Sequence, residues 1–166
     1  MGVYRELSQI DSIVIHCADT PNGRADTIED VDRWHGQRVP PFRRNMALAP
    51  KHQPQLTHVG YHFVIEVDGA IRLGRPLHES GAHVARHNRL SIGICLIGYD
   101  RFSHAQWDAL RALVLMLQHP GNGLNIQQIC GHRDLYSGKT CPGFDVAEWI
   151  NNDFQPLLIH ILEASC

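Results

Sequence analysis

Three side chains that can do chemistry lie close together in the C-terminal part of the chain. His132, Lys139 and Cys141 fall within ten positions, in a polar segment that follows the short apolar run 126–130 and precedes a helix-start signal at Asp145. An imidazole and a thiolate are both good zinc ligands. The segment 131–144 therefore predicts part of a metal site.

This segment cannot complete the site alone, because a catalytic zinc needs three protein ligands and a structural zinc needs four. The best third ligand is His16, which ends the apolar run 13–15 and is followed by the turn-forming residues 19–23. Two neutral imidazoles and one thiolate leave Zn²⁺ an open position, where the pKa of a bound water falls to about 7. The alternatives are hydrogen-bonded interior histidines, an inert thiol at Cys141, or a structural zinc, for which no fourth ligand is obvious.

Apolar runs and capping signals predict the elements that position these residues. Five apolar runs predict strands, at 12–17, 61–67, 70–73, 90–98 and 126–130. Three capping signals predict helices, which begin after Thr27, Ser103 and Asp145. The pair Asp68-Gly69 predicts a hairpin between the second and third strands.

The segment 39–57 is the least regular part of the chain. It contains four prolines and several basic residues, which predicts a long loop instead of a helix or a central strand. Long loops in compact domains are often functional. Two interpretations stay open: the loop forms a wall of the substrate groove, or it is a mobile insertion.

The charge balance is close to neutral. Fifteen Lys and Arg against seventeen Asp and Glu give a formal net charge of −2 over 166 residues. This balance argues against non-specific electrostatic binding to nucleic acid or to an anionic membrane. No run approaches the ~20 apolar residues that span a bilayer, and residues 1–7 lack the apolar stretch of a secretory signal. We therefore expect synthesis in the cytoplasm and no membrane insertion.

The cysteines are odd in number and scattered, at positions 17, 95, 130, 141 and 166. This distribution predicts reduced thiols instead of a disulfide framework. Because successive residues of a strand point to opposite faces, a cleft-facing His16 sends Cys17 into the core.

Seven stretches together resemble the type-2 family of zinc-dependent N-acetylmuramoyl-L-alanine amidases, which includes phage lysozymes and peptidoglycan recognition proteins. They follow one another across nearly the whole chain: residues 15–18, 34–35, 59–63, 68–69, 81–83 with Asn88, 91–96 and 131–144. Each stretch alone is a weak signal, whereas the ordered series is specific, and the phage lysozyme branch is the most similar. The resemblance implies an α/β fold, with a central mixed β-sheet flanked by helices and a zinc site at the strand ends. It covers residues 1–166 as one catalytic domain without a separate wall-binding domain.

The resemblance also implies roles for four further residues. Lys139 occupies the Lys-x-Cys position of the family, where an ammonium stabilises the oxyanion that forms when an amide is attacked. Tyr61 matches a catalytic tyrosine that orients the attacking water or holds the intermediate. His83 and Asn88 fall where the family places the wall of its substrate cleft. The simpler alternatives are a solvated Lys139, a packing Tyr61 and a solvated His83.

The activity implied by the resemblance is hydrolysis of the bond between the lactyl group of N-acetylmuramic acid and L-alanine in peptidoglycan. The expected cofactor is Zn²⁺, and the expected biology is a phage or prophage endolysin that acts after the membrane is breached. A cytosolic amidase of anhydro-muropeptides is a rival, but that branch implies a carboxylate in place of Cys141. A peptidoglycan-binding module is another, although non-cutting members lack this cysteine. RNA polymerase is a candidate partner by resemblance alone, since the phage lysozyme inhibits that enzyme.

Overall fold

One mixed five-stranded sheet forms the centre of the protein, as expected. The computed structural model describes residues 2–163, so the predicted free thiol of Cys166 lies outside the described residues. The strands are β1 (Ser12–Cys17), β2 (Phe63–Ile65), β3 (Ile71–Leu73), β4 (Ser91–Leu96) and β5 (Gln128–Gly131). Their order in the sheet is β3-β2-β4-β1-β5, and only β3 runs antiparallel to its neighbour. The hairpin predicted at Asp68-Gly69 connects β2 and β3.

The helices begin where the capping residues predicted. They are α1 (Ile28–Gly36), α2 (His104–Gln118), α3 (His132–Leu135) and α4 (Val146–Asn151), with short 3₁₀ helices at Leu7–Gln9, Ala49–Lys51 and Leu158–His160. The side chains of Thr27, Ser103 and Asp145 accept hydrogen bonds from backbone N–H groups of the first turns of α1, α2 and α4. Within residues 2–163, no helix has the length and apolar character needed to cross a membrane.

The sheet is covered on both faces. On one face the inward residues of β1 pack against α2 and α4, in a cluster that includes Ile15, Leu110 and Trp149. On the other face Val64 of β2 and Cys95 of β4 pack against α1. Cys17 is 5% exposed and belongs to the first cluster, which confirms that it points into the core.

The register of the parallel strands places His16 beside His132. β1 lies between β4 and β5, and the pairing with β5 ends at Ile15 and Gly131. The residues that directly follow this last pair are His16 in β1 and His132, the first residue of α3. Because the carboxyl ends of parallel strands meet at one edge of a sheet, residues far apart in sequence meet there.

Helix α3 was not predicted, since the polar sequence His-Arg-Asp-Leu was interpreted as loop. The carboxylate of Asp134 accepts a hydrogen bond of 2.7 Å from the backbone N–H of Gly131 and so closes the first turn. The Arg133 N–H donates to the carbonyl of Cys141 at 2.8 Å. This bond connects the start of α3 to the residue that contributes the thiol of the predicted site.

Candidate metal centre and cleft

Three predicted ligands converge at the carboxyl end of the sheet. The potential ligand atoms of His16, His132 and Cys141 all lie within 4.8 Å of one another. The Nδ1 atom of His16 is 3.7 Å from the Sγ atom of Cys141. A tetrahedral zinc with ordinary bond lengths separates a nitrogen ligand from a sulfur ligand by roughly 3.6 Å. The spacing and the chemistry of these donors therefore fit a metal ion of this kind.

The two imidazoles are held in the neutral form that binds metals. Burial lowers the pKa of His16 well below its usual value, and the neighbouring histidines lower it further. Burial also lowers the pKa of His132, with a second contribution from the positive charge of Lys139. Each imidazole therefore keeps a lone pair for a cation at neutral pH.

The thiol of Cys141 differs from the two imidazoles in its protonation. The neighbouring Cys17 thiol and burial raise the pKa of Cys141, so the protein alone favours its protonated form. The backbone N–H of Cys17 donates to the Cys141 sulfur at 3.2 Å, an arrangement that also suits a thiolate. Because a metal-binding cysteine must lose its proton, metal binding at this site is coupled to proton release.

A cleft of about 740 Å³ opens above the three potential ligands. All seven predicted site residues lie along it: His16, Tyr61, His83, Asn88, His132, Lys139 and Cys141. The structure thus brings together every predicted residue, whereas their individual roles stay predictions. Of the described residues that line the cleft, only Asp19 carries a carboxylate.

Tyr61 and Lys139 provide two different polar groups near the ligand cluster. The ring centroid of Tyr61 is 5.1 Å from that of His16 and 5.2 Å from that of His35. Burial raises the pKa of the Tyr61 phenol well above its usual value, so the phenol keeps its proton and can donate it in a hydrogen bond. Lys139 is exposed at the rim of the cleft, where its ammonium is free to approach a bound ligand.

His83 and Asn88 make contacts with the protein as well as lining the cleft. His83 is buried, and its Nδ1 atom lies 2.9 Å from Nε2 of His16. The side-chain oxygen of Asn88 accepts hydrogen bonds from the backbone N–H groups of His83 and Val84, at 2.7 and 2.9 Å. The contact between His83 and His16 was missed, because nothing local in the sequence signals a hydrogen bond between residues so far apart.

The irregular segment 39–57 forms part of the cleft wall. The guanidinium of Arg38 lies 4.9 Å from the ring centroid of Phe42, and both side chains line the cleft. Arg44, which follows them, is buried and pairs with Glu79 at 2.9 Å. Phe42 is thus the one residue of the segment 39–57 among those that line the cleft, and the role of the loop as a whole stays a prediction.

Comparisons with known proteins agree with this architecture. The family model Amidase_2, described as N-acetylmuramoyl-L-alanine amidase, matches residues 6–144. The endolysin of Escherichia phage T7 is 29% identical over 154 residues, which cover 88% of this chain and 89% of that protein. The endolysin of Klebsiella phage KP32 has the same identity and coverage.

Solved structures show the same fold. The N-acetylmuramoyl-L-alanine amidase LysC from Clostridium intestinale URNW is similar with a TM-score of 0.67 and 26% identity, over 91% of this chain and 89% of that one. Drosophila PGRP-LB has a TM-score of 0.65 at 22% identity, over 99% of this chain and 91% of that chain, and shows the fold alone. Because the family model covers most of the chain, the predicted resemblance is confirmed, and the chain belongs to the Amidase_2 family of N-acetylmuramoyl-L-alanine amidases.

Proposed function

We propose that the protein is a zinc-dependent endolysin that hydrolyses the amide bond between the lactyl group of N-acetylmuramic acid and L-alanine in peptidoglycan. The observation that carries this proposal is the convergence of His16, His132 and Cys141 on the floor of an open cleft. Family membership supports the amidase reaction. The similarity to phage endolysins over almost the whole chain supports the endolysin assignment.

The donor set favours a catalytic metal over a structural one. Two imidazole nitrogens and one sulfur are three protein ligands, the number typical of open zinc sites. Among the described residues, only His16, His132 and Cys141 belong to this group of potential ligands. Such an ion supplies a nucleophile near neutral pH and polarises a carbonyl oxygen.

The other cleft residues have distinct tasks in this proposal. Lys139 brings its ammonium to the oxygen of the scissile amide, where negative charge develops during attack. The phenol of Tyr61 donates a hydrogen bond to the same amide oxygen or to the attacking water. No carboxylate base is assigned: Glu66 is paired with Arg72 at 2.9 Å, and Glu79 is paired with Arg44.

The cleft shape suits a polymeric substrate. It is open to solvent and large enough to hold part of a glycan with its attached peptide. Trp34 and Phe42 provide apolar walls, whereas Arg38 provides positive charge. Aromatic faces and a cation are suited to a sugar ring and a peptide carboxylate.

Cleavage of purified peptidoglycan tests the proposal directly. The protein should clear a suspension of sacculi, and mass spectrometry should find free stem peptides that begin with L-alanine. A chelator should stop clearing, and added Zn²⁺ should restore it. Undiminished clearing in chelator by protein shown to be metal-free would refute the zinc mechanism.

A parallel assay with small soluble muropeptides separates an endolysin from a recycling enzyme. An endolysin should act on intact sacculi at rates comparable to, or above, those on the small substrate. Activity confined to anhydro-muropeptides would contradict the endolysin assignment while leaving the amidase reaction intact.

A further inference from the structure

The two ring nitrogens of His16 face different partners. Nδ1 lies 3.7 Å from the Cys141 sulfur, on the side where the three potential ligands meet. Nε2 lies 2.9 Å from Nδ1 of His83. A neutral imidazole carries one proton, and the nitrogen that carries it cannot bind a metal. The position of this single proton therefore decides whether His16 can be a ligand.

Ser91 determines where the proton lies. Its hydroxyl is 2.8 Å from the backbone carbonyl oxygen of His87, which can only accept, so the hydroxyl donates to that oxygen. The same Ser91 oxygen lies 3.4 Å from Nε2 of His83 and is left to accept a hydrogen bond from it. His83 consequently carries its proton on Nε2, and its Nδ1 atom is an acceptor.

The direction of the remaining hydrogen bond follows. Since Nδ1 of His83 accepts, Nε2 of His16 must donate to it, and His16 carries its proton on Nε2. The Nδ1 atom of His16 is then unprotonated, with its lone pair free on the side of Cys141. The chain from His87 through Ser91 and His83 to His16 thus has one consistent set of donors and acceptors.

The His83 ring is packed closely against the backbone at two glycines. Gly81 and Gly93 both face the ring: a Cβ atom built on Gly93 would lie 2.6 Å from Cγ of His83, and one built on Gly81 would lie 2.8 Å from Nε2. His83 is 9% exposed, and its backbone N–H donates to the side-chain oxygen of Asn88. Glycine at these two positions provides the space that the ring needs.

We propose that His83 is a positioning residue, which accepts a hydrogen bond from Nε2 of His16 and so directs Nδ1 of His16 towards the metal. The identity of the metal as zinc rests on the proposed function, whereas the hydrogen-bond chain does not. Partners that orient a metal-binding histidine typically change metal affinity by 10- to 100-fold. His83 in this role acts on the substrate only through His16.

Zinc affinity, measured by competition with a chromophoric chelator, tests the proposal without use of activity. The variant His83→Ala should bind zinc about 10- to 100-fold more weakly than the wild type. His83→Gln should recover part of this loss, because its amide oxygen can accept the hydrogen bond from His16. The matched control is His87→Ala, which removes an exposed imidazole of the same loop and keeps the backbone carbonyl that Ser91 uses. This control should bind zinc like the wild type.

Nitrogen-15 NMR of the wild-type histidines gives a second readout that does not depend on the folding of any variant. With zinc bound, His16 should show a protonated Nε2 and a metal-bound Nδ1. A proton on Nδ1, or zinc affinity of a folded His83→Ala variant within twofold of the wild type, would overturn the proposal. If instead the wild type binds no zinc, the proposed function fails, and the proton position in the metal-free protein still tests the hydrogen-bond chain.

Discussion

Two clusters of ionisable side chains in the described part of the chain are built on opposite plans. In one, Glu79 is enclosed by Arg44 at 2.9 Å and Arg75 at 3.4 Å, and every member is almost completely buried. In the other, His16, His132 and Cys141 meet at the floor of the cleft. The first cluster joins opposite charges, whereas the second gathers groups that all offer electron pairs.

The difference indicates what each cluster does. The guanidinium of Arg44 also donates to the carbonyl oxygens of Gln53 and Leu56, so the arginine cluster is satisfied by the protein and fixes the loop 39–57. A buried charge network satisfied in this way is a structural device. In the proposed function, a cation completes the ligand cluster. Substitutions in each cluster separate these roles.

Loss of Cys141 should abolish function without abolishing the fold. The variant Cys141→Ala should purify without stoichiometric zinc and clear sacculi only at the background rate, because two imidazoles alone do not make a three-ligand site. Metal analysis and clearing assays measure both effects. The matched control is Cys130→Ala, which removes a buried thiol outside the ligand cluster and should keep its zinc. Equal zinc in both variants would disprove the ligand assignment.

Loss of Glu79 should lower the stability of the fold and leave zinc binding intact. The variant Glu79→Gln leaves two buried arginines without their counter-charge, which should lower the free energy of unfolding by about 3–5 kcal/mol. Urea denaturation measures this change. Asp26→Asn is the control, since it breaks the exposed pair with Arg24 and should cost at most about 1 kcal/mol. Folded Glu79→Gln protein should still bind zinc; a specific loss of zinc affinity would show that the two clusters are coupled.

Loss of Lys139 should affect the reaction and leave both clusters intact. The variant Lys139→Ala should reduce kcat about 100- to 1000-fold, equivalent to about 3–4 kcal/mol of transition-state stabilisation. Zinc content and the urea midpoint should be unchanged, because Lys139 is exposed and outside the ligand set. Steady-state kinetics on a soluble muropeptide measure the effect. A variant with the wild-type kcat would show that Lys139 is a solvated side chain without a role in the reaction.

The smallest predicted effect concerns the pH dependence of stability and His35, which borders the cleft. Burial, together with a smaller contribution from the positive charge of Arg38, lowers the pKa of His35 from 6.5 to about 4. Between these pH values the unfolded chain binds a proton that the folded protein does not, so acidification favours unfolding. This histidine should contribute stability above pH 6.5 that is lost as the pH falls towards 4, at most about 3 kcal/mol.

The contribution can be isolated by urea unfolding of the wild type and of His35→Gln at pH 7 and pH 4.5, both in chelator. The glutamine can still accept the hydrogen bond that the Gly60 N–H donates to His35 at 2.9 Å. The variant should lose less stability on acidification than the wild type. An identical loss in the two proteins would mean that His35 is not held neutral.

The elements and the ligand set could be predicted from sequence because their signals are local. β1 contains the unbroken apolar run 13–15, which His16 follows directly, and the capping residues mark where the helices begin. The arginine cluster could not be predicted in the same way. Arg44 lies in a proline-rich segment, and its partner Glu79 is 35 positions away, so the pair is visible only when the loop is folded back on the sheet.

Local sequence signals also could not predict the contact between His83 and His16 or the formation of helix α3. His83 lies in a loop with several other histidines, and only the register of the sheet brings it to His16. The four residues of α3 are polar and too few to show an amphipathic pattern, so hydrophobic periodicity could not reveal them. In both cases the structure depends on contacts between distant parts of the chain.

The central position of β1 in the sheet has a consequence for synthesis. His16 in this strand is synthesised 125 positions before Cys141, the residue with which it would bind the proposed metal. A growing chain therefore lacks the complete set of proposed metal ligands until Cys141 has been added. Fragments that terminate before this cysteine should not bind the metal at this site.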